Sequence, residues 1–363
     1  MKTTTRSRVA ALLVGAAGVV IVELLLRLFI GPTAPPVRVY SIFRTGEAWF
    51  TEAAGQVSSS TFQVHPVEAS FTTEMRAPRV AVLGGSVVHG GSGSLRLDQE
   101  FPALIEKRTL IDVYNFGSPA LDSHDHVKQM TELVRWPWSL IVVYAGHNDF
   151  GNAYFQQRYS GAGSWIGVSL RSVAEHFQLF SLLRRAAASA EGFAPRPGTG
   201  PPKGAATTSE QREATLRYLE MNLRRIAWIA ASAGIPLMWV VPFSSVAMAP
   251  VEGACAGDPC ASRLWEEGTR LVRQDPVLGA EKLRQARDAD NGPLRAPTAA
   301  EELVRRIAGE TGDFLADPAQ KLPKEPATDL PSMHLFADHV HLSETGHALT
   351  AAALAEDIQA ALR

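Results

Sequence analysis

The 363-residue sequence lacks several features that mark common protein classes. Its net charge is only −2, from 35 Lys and Arg and 37 Asp and Glu, and no block of basic residues interrupts the chain. This argues against a nucleic-acid partner, because phosphate neutralisation needs clustered cations. No Gly-Lys-Ser/Thr follows the glycine turn at 84–86, which argues against a phosphate-binding loop. No internal repeat is visible, and no cofactor is predicted.

Cysteine is also scarce. Cys255 and Cys260, in the segment EGACAGDPC, are the only two. In an exported domain, two nearby cysteines most simply form a local disulfide. A metal site is the alternative, and it would need further ligands that the neighbouring sequence does not offer. We therefore predict a disulfide of small stabilising effect, because the loop it closes is short.

One long apolar run is present, Val9–Ile30. As a helix it is long enough to cross a bilayer core of about 30 Å. Lys2, Arg6 and Arg8 precede it without an acidic residue, which predicts a cytoplasmic N-terminus and export of the rest of the chain. A cleaved signal peptide is the competing interpretation, but it needs a shorter apolar region and a small-residue cleavage site.

These features predict a single-pass protein of the inner membrane whose main domain lies in the periplasm. Within the apolar run, Glu23 and Arg27 have the spacing and order of a helical ion pair; contact with a membrane partner is the alternative. The predicted organisation is a tail at 1–8, an anchor at 9–30, a loosely packed spacer at 31–77 and a main domain at 78–363. The main domain carries a Pro/Gly-rich loop at 193–207 and an insertion at 246–296.

Short apolar runs alternate with helix-like stretches from residue 79 onward. This pattern predicts a parallel sheet covered by helices on both faces, with the functional site at the carboxyl ends of the strands. The predicted strands begin at Arg79, Ile111, Leu140, Ile235 and Asp313. The predicted helices are Asp122–Val134, Ser209–Ala233, Pro297–Gly309 and Ser343–Leu362, with one more, Leu264–Ala289, in the insertion.

Ser86 follows two glycines at the end of the first of these strands. Glycines allow a sharp turn and a close approach of substrate, so the turn can present the serine hydroxyl as a nucleophile. A helix-capping serine is the alternative.

Two further strand ends carry groups that can stabilise an oxyanion. Gly117 can offer its backbone N–H, although it can equally be a simple strand-ending turn. The amide of Asn148 offers uncharged N–H donors. Of its neighbours, His147 is expected to point away from Asn148 in an extended segment, and Asp149 to orient the loop or cap a helix.

Asp338 and His341 lie three residues apart in the last loop, in FADHVHLS. The carboxylate can bind Nδ1–H of the imidazole and leave Nε2 free as the general base for Ser86. Together with His334 and His339, the same residues can instead be interpreted as a metal cluster.

Taken together, these segments resemble the blocks of the SGNH/GDSL hydrolase superfamily. The resemblance runs from about Arg79 to the C-terminus and assigns Ser86 as nucleophile, Gly117 and Asn148 as oxyanion donors, and Asp338 with His341 as the block Asp-x-x-His. One departure is Gly85, where the superfamily usually has the aspartate of Gly-Asp-Ser-Leu. The segments LGGS and YAGHNDF look like a membrane-anchored bacterial branch.

The resemblance implies a flavodoxin-like α/β/α sandwich around a mostly parallel five-stranded sheet, and an esterase that works through an acyl-enzyme. Its oxyanion would be held by the N–H groups of Ser86 and Gly117 and the amide of Asn148. O-acetyl groups on envelope or exported glycans are the expected substrate, followed by lipid esters. An O-acyltransferase with the same residues, or a non-catalytic glycan-binding or assembly subunit, is the alternative.

Overall fold

The computed structural model describes most of the chain in well-defined segments, which fall into two compact units. One unit contains residues 1–48 and 164–198, and the other contains 49–163 and 199–363. The described residues are 5–30, 49–60, 68–74, 78–90, 98–156, 177, 179, 182–183, 206–251 and 259–363.

The first unit contains helix α1, Thr5–Ile30. The predicted ion pair is present, because Arg27 Nε donates to Glu23 Oε1 over 2.7 Å. Glu23 is buried, and its other carboxylate oxygen accepts from the N–H of Leu179 at 3.1 Å. Among the residues described, no helix has the length and apolarity needed to span a membrane.

A five-stranded sheet forms the centre of the second unit, in the order β5-β4-β6-β7-β8, with every neighbouring pair parallel. This confirms the predicted parallel sheet. β4 and β6 are buried along their whole length, which explains why they are continuous apolar runs in the sequence. The strands are β4 (Arg79–Gly84), β5 (Asp112–Asn115), β6 (Leu140–Tyr144), β7 (Leu237–Val240) and β8 (Phe314–Ala316).

Helices pack on both faces of this sheet. Alternate strand residues point to opposite faces: Leu83 and Val143 belong to one apolar cluster, and Val82 and Val142 to the other. The helices are α2 (Ser86–His89), α3 (Phe101–Thr109), α4 (Ser123–Leu133), α5 (His147–Gln156), α6 (Ser209–Ala233), α7 (Ala261–Leu271), α8 (Pro276–Asp288), α9 (Thr298–Thr311), α10 (Pro318–Lys321) and α11 (Glu344–Ala361), with a 3₁₀ turn at Met333–Leu335.

The predicted loose spacer at 31–77 is wrong for its described residues, which begin at Trp49. They form an antiparallel sheet of β1 (Phe50–Ala53), β2 (Gln56–Ser60) and β3 (Glu68–Thr72). Phe71 is 2% exposed and lies edge-on to Trp138, at 4.9 Å between ring centroids. The small sheet is therefore part of the core. It has no sustained apolar pattern in the sequence, because each strand contributes only one described residue to the apolar cluster.

The insertion at 246–296 also differs from its prediction, because two helices replace one. Pro276 disfavours helical backbone at Asp275, so α7 ends before it and α8 begins at the proline, capped by the Asp275 carboxylate. Cys260 precedes α7 and is disulfide-bonded, while Cys255 lies outside the described residues. The predicted loop at 193–207 also lies outside them, except for its last two residues.

The strand order fixes where a site can form. The chain runs from β4 outward to β5 in one direction and, through β6, to β7 and β8 in the other. The carboxyl ends of β4 and β6 flank this reversal, where open α/β sheets form their ligand sites. Ser86 follows β4 and Asn148 follows β6.

Candidate active site

The turn after β4 presents Ser86 as the first residue of α2. A Cβ on Gly84 would overlap the Val88 side chain, so only glycine permits this tight entry into the helix. The N-terminal cap is Gly85 rather than Ser86, which removes the helix-cap interpretation of the serine. Ser86 is half-buried, and no described residue accepts from its backbone N–H.

His341 reaches Ser86 from the loop before α11. Its Nε2 lies 2.8 Å from Ser86 Oγ, and its Nδ1 lies 2.7 Å from Asp338 Oδ2. An ionised carboxylate can only accept, so Nδ1 carries the proton and Nε2 accepts from the serine hydroxyl. The structure thus joins the three predicted residues in one hydrogen-bonded chain, as a serine nucleophile requires.

Asp338 is held in its charged form. Burial alone would raise the pKa of this carboxyl, but hydrogen bonds from the His341 imidazole and from two backbone N–H groups lower its pKa well below the usual range. The backbone donors are the N–H groups of Val340 at 2.9 Å and His341 at 2.8 Å, both to Oδ1. Because Oδ1 is occupied by the backbone, Oδ2 is oriented toward the imidazole.

The two rival histidines have other environments. His339 Nε2 lies 2.9 Å from the carbonyl oxygen of Ala249, and His334 lies exposed in the 3₁₀ turn. In the described part of the chain, no group of three or more His, Cys, Asp or Glu residues is arranged to hold a metal ion. The geometry therefore favours the serine–histidine interpretation of this loop over the metal cluster.

Asn148 lies beside Gly85, the residue that precedes Ser86. Its Nδ2 donates to the carbonyl oxygen of Leu121 at 2.8 Å, which fixes the amide and leaves the second N–H without an acceptor among the described residues. A Cβ on Gly85 would occupy the position of Asn148 Nδ2. The glycine that departs from Gly-Asp-Ser-Leu therefore makes room for this amide next to Ser86.

Gly117 does not present its N–H as predicted. That N–H donates to Asn115 Oδ1 at 2.9 Å, and the Asn115 amide donates to the carbonyl oxygen of Val88 at 3.0 Å. A Cβ on Gly117 would lie 2.7 Å from Val88 side-chain atoms. In this structure Gly117 is therefore a close-packing position behind α2, and its donor is not available to an oxyanion.

A residue that sequence reasoning missed lies farther along the same loop. Ala120 has a left-handed backbone, with φ of 57°, which is strained for a residue with a side chain. Its carbonyl oxygen accepts from Asn152 Nδ2 at 2.9 Å, while its N–H has no acceptor among the described residues. The next residue, Leu121, accepts from Asn148. Ala120 therefore precedes the residue that holds the Asn148 amide, and its backbone N–H is unpaired among the described residues.

Behind the site, His147 and Asp149 lie in a buried hydrogen-bond network. Both belong to α5 rather than to an extended segment. His147 and Asn148 have different partners: Nδ1 of His147 accepts from the N–H of Ala296 at 2.9 Å, whereas Asn148 donates to Leu121. Asp149 accepts from Ser123 Oγ at 2.5 Å and from the Ser123 N–H, which holds the first residue of α4. These bonds fix the first turn of α5, which carries Asn148, and join it to the start of α4.

In this protein a hydrogen-bonded serine, histidine and aspartate lie at the carboxyl edge of a parallel sheet. This arrangement is typical of serine hydrolases. A model of the GDSL-like lipase/acylhydrolase family matches residues 70–354. The chain therefore belongs to the GDSL-like lipase/acylhydrolase family and is an SGNH-type ester hydrolase. This confirms the predicted superfamily; the membrane-anchored branch stays a prediction.

Solved structures provide further similarity at low identity. A GDSL-like lipase from Bacteroides thetaiotaomicron is 11% identical, with 80% of this chain and 93% of that chain covered and a TM-score of 0.42. An acetyl xylan esterase from Geobacillus stearothermophilus is 15% identical, with 79% and 97% covered and a TM-score of 0.39. A search of curated proteins found no match.

Proposed function

We propose that this protein is a membrane-anchored, extracytoplasmic serine esterase that works through an acyl-enzyme. The observation that carries this proposal is the chain of short hydrogen bonds from Ser86 Oγ through His341 to Asp338. A serine hydroxyl is a weak nucleophile unless a base accepts its proton, and His341 Nε2 lies where it can do so.

In the proposed reaction, Ser86 Oγ attacks the ester carbonyl while its proton passes to His341 Nε2. The imidazolium is stabilised by the ionised Asp338, which stays unprotonated because of its lowered pKa. His341 then gives the proton to the departing alcohol oxygen, which leaves an acyl group on Ser86. Water, activated by the same imidazole, attacks the acyl-enzyme, and the serine leaves with the proton.

Negative charge develops on the carbonyl oxygen during both attacks. We assign its stabilisation to the Ser86 N–H, the free N–H of Asn148 and the Ala120 N–H, because none of these donors has another acceptor among the described residues. Gly117 is left out, since its N–H is bonded to Asn115. A structure of the enzyme phosphonylated on Ser86 tests this choice: the phosphonyl oxygen should lie about 3 Å from the Ala120 nitrogen. A phosphonyl oxygen in contact with the Gly117 nitrogen would instead identify Gly117 as the oxyanion donor.

The proposed substrates are O-acetyl esters on envelope or exported glycans. Support comes from the sequence, because an anchor at Val9–Ile30 preceded by basic residues would hold the domain beside such glycans. Described apolar side chains of α1 are also largely exposed, including Leu28 at 76% and Phe29 at 78%. A lipid surface would cover them.

The decisive experiment combines active-site labelling with product analysis. A fluorophosphonate probe should label the wild-type protein and not the Ser86→Ala variant. Folded wild-type protein that resists the probe would instead favour a non-catalytic role. With an acetyl ester donor, release of free acetate identifies the esterase. Transfer of the acetyl group to an added glycan, at the expense of acetate, would identify an acyltransferase.

The proposed topology is tested separately. A C-terminal alkaline phosphatase fusion should be active, and a C-terminal green fluorescent protein fusion should be dark. A fluorescent fusion with inactive phosphatase would place the domain in the cytoplasm and refute the extracytoplasmic part of the proposal. The hydrolase assignment does not depend on this result.

A further inference from the structure

A cavity lies at the carboxyl end of β7, apart from the residues of the candidate active site. Its volume is about 260 Å³, and none of Ser86, Asn148, Asp338 or His341 lines it. The strand extension at 241–246 forms one wall, and the insertion helix α8 contributes another. The remaining walls come from α9, α10 and the loop that ends at Pro331.

The walls of this cavity are rich in cations. Arg284, Arg287, Arg305 and Lys324 line it, against the two carboxylates of Glu301 and Asp329. Arg284 pairs with Asp329 at 2.5 Å. Arg287 pairs with Glu301 at 2.5 Å and with Asp288 at 3.0 Å. Arg305 pairs at 2.8 Å with Asp317, which does not line the cavity.

Lys324 is the fourth cation that lines the cavity. Its Nζ donates to the carbonyl oxygen of Ala319, and no carboxylate of the described residues lies within ion-pair distance of it. Burial lowers the pKa of Lys324, and the nearby carboxylates of Asp317 and Asp329 offset this lowering only in part. An anion in the cavity would offset the rest.

A second donor in the same wall is unsatisfied. Ser244 is 1% exposed, lines the cavity, and its Oγ has no hydrogen-bond partner among the described residues. Buried hydroxyl groups are normally paired, so an unpaired one beside a cavity indicates a missing acceptor. An oxyanion accepts from hydroxyl, ammonium and guanidinium groups alike.

We propose that this cavity binds a small oxyanion, a carboxylate or phosphate group carried on a polar molecule of about monosaccharide size. Lys324 Nζ and Ser244 Oγ are its main donors, and Arg284 contributes charge at the exposed side. The site would give the insertion a role, because α8 supplies two of its cations. It is also next to the catalytic loop, since the Ser245 N–H donates to the carbonyl oxygen of His339 at 3.0 Å.

Calorimetric titration of the full-length protein tests the proposal with three probes: inorganic phosphate, acetate and glucuronate. The Ser86→Ala variant is used beside the wild type, so that the outcome does not depend on turnover. We expect saturable binding of phosphate or glucuronate, equal in both proteins, and roughly tenfold weaker in Lys324→Gln. Glucuronate binding without phosphate binding identifies a carboxylate ligand, and the reverse identifies a phosphate ligand.

The matched control is Lys282→Gln, which removes the same charge from α8. Lys282 pairs with Glu267 and does not line the cavity, so this variant should bind like the wild type. If none of the three probes binds saturably, the site is refuted. It is also refuted if Lys282→Gln weakens binding as much as Lys324→Gln does. If Lys324→Gln fails to fold, Ser244→Ala decides by the same criterion, because it deletes only the unpaired hydroxyl.

Discussion

Two segments of this protein each carry a histidine and an aspartate, and the two pairs behave in opposite ways. In the loop at 338–341, His341 and Asp338 are bonded to each other, and the imidazole has its second nitrogen against Ser86. In α5, His147 and Asp149 are both buried and bond to separate partners. The same two residue types thus form a bonded pair beside Ser86 in one place and a buried scaffold in the other.

The contrast is explained by burial and by the supply of donors. Burial lowers the pKa of His147 to about 3, so the imidazole is neutral and both nitrogens are used in fixed hydrogen bonds. Burial also raises the pKa of Asp149, to about 6. Asp338 is half exposed and receives two backbone N–H groups, which keep it ionised. A catalytic imidazole must exchange a proton, and burial holds His147 in the neutral form, which does not suit that role.

The largest expected effect separates the histidines of the last loop. Replacing His341 by alanine removes the only base within reach of Ser86 among the described residues. We expect turnover of an acetyl ester to fall by at least about a thousand-fold. His339→Ala is the matched control, since it deletes the same side chain two positions away and should keep most activity. Equal losses in both variants, restored by added zinc, would support the metal interpretation instead.

The next effect concerns Asn148 and the glycine that it packs against. An oxyanion donor acts only in the transition state, so Asn148→Ala should lower kcat roughly a hundred- to a thousand-fold, about 3–4 kcal/mol, with a similar KM. Gly85→Ala should do the same, because the new methyl group would displace the amide.

The double variant Gly85→Ala/Asn148→Ala sharpens this prediction. Both changes remove one interaction, so the double variant should be hardly worse than either single variant. Additive losses in kcat, in protein that remains folded by circular dichroism, would show that Gly85 acts independently of Asn148.

A smaller effect is expected from the carboxylates. Asp338→Asn keeps the shape but removes the ionised acceptor of Nδ1–H, and kcat should fall roughly 10- to 100-fold. This is less than the about ten-thousand-fold loss for a buried triad aspartate, since water can reach this half-exposed pair. Asp149→Asn, the same change in the buried segment, should lower the melting temperature but leave kcat per folded molecule within a few-fold. The reverse pattern would exchange the roles of the two segments.

The parallel sheet and the contact between Asp338 and His341 were predictable from the sequence, because each depends on residues that are close together in the chain. Buried parallel strands are continuous apolar runs, as at Leu140, and Ser209 and Ala233 are observed to bound α6 as predicted. Asp338 and His341 bond within one short loop, so their spacing alone predicts the contact. Ser86 was identified by its glycines and by its position after a strand.

The parts that were not predicted depend on contacts between distant segments. The Gly117 N–H is bonded by an asparagine only two residues away, but Asn115 is oriented by the Val88 carbonyl oxygen, which belongs to another element. The positive φ of Ala120 has no sequence signal, because the residue is not glycine. β1 to β3 were missed because their apolar residues, such as Phe71, bury against aromatic side chains that follow 40 or more positions later.

The smallest effect on catalysis, and the clearest on stability, is expected at His147. His147→Leu leaves the N–H of Ala296 unpaired, and it removes a partner of the Tyr144 hydroxyl and of the Phe243 carbonyl oxygen. Because these groups are buried, the variant should be less stable by about 2–3 kcal/mol at pH 8. Turnover per folded molecule should change little. His147→Gln is the conservative control, because its amide can both accept from Ala296 and donate to Phe243, and it should recover much of the loss.

The pH dependence of this stability difference tests the neutral state of His147 itself. The folded pKa of about 3 lies below the ordinary histidine value of about 6.5, so the unfolded chain binds more protons between these limits. The contribution of His147 to stability is therefore complete above about pH 6.5 and is lost as the pH falls toward 3.

Urea denaturation measures this effect. The difference in unfolding free energy between wild type and His147→Leu should narrow by up to about 1.4 kcal/mol per pH unit below 6.5. His347, whose pKa burial lowers to about 4, titrates in both proteins and cancels in the comparison. A gap that stays constant from pH 8 to pH 4 would mean that the His147 imidazole accepts a proton in the folded state, and the contrast with His341 would then be wrong.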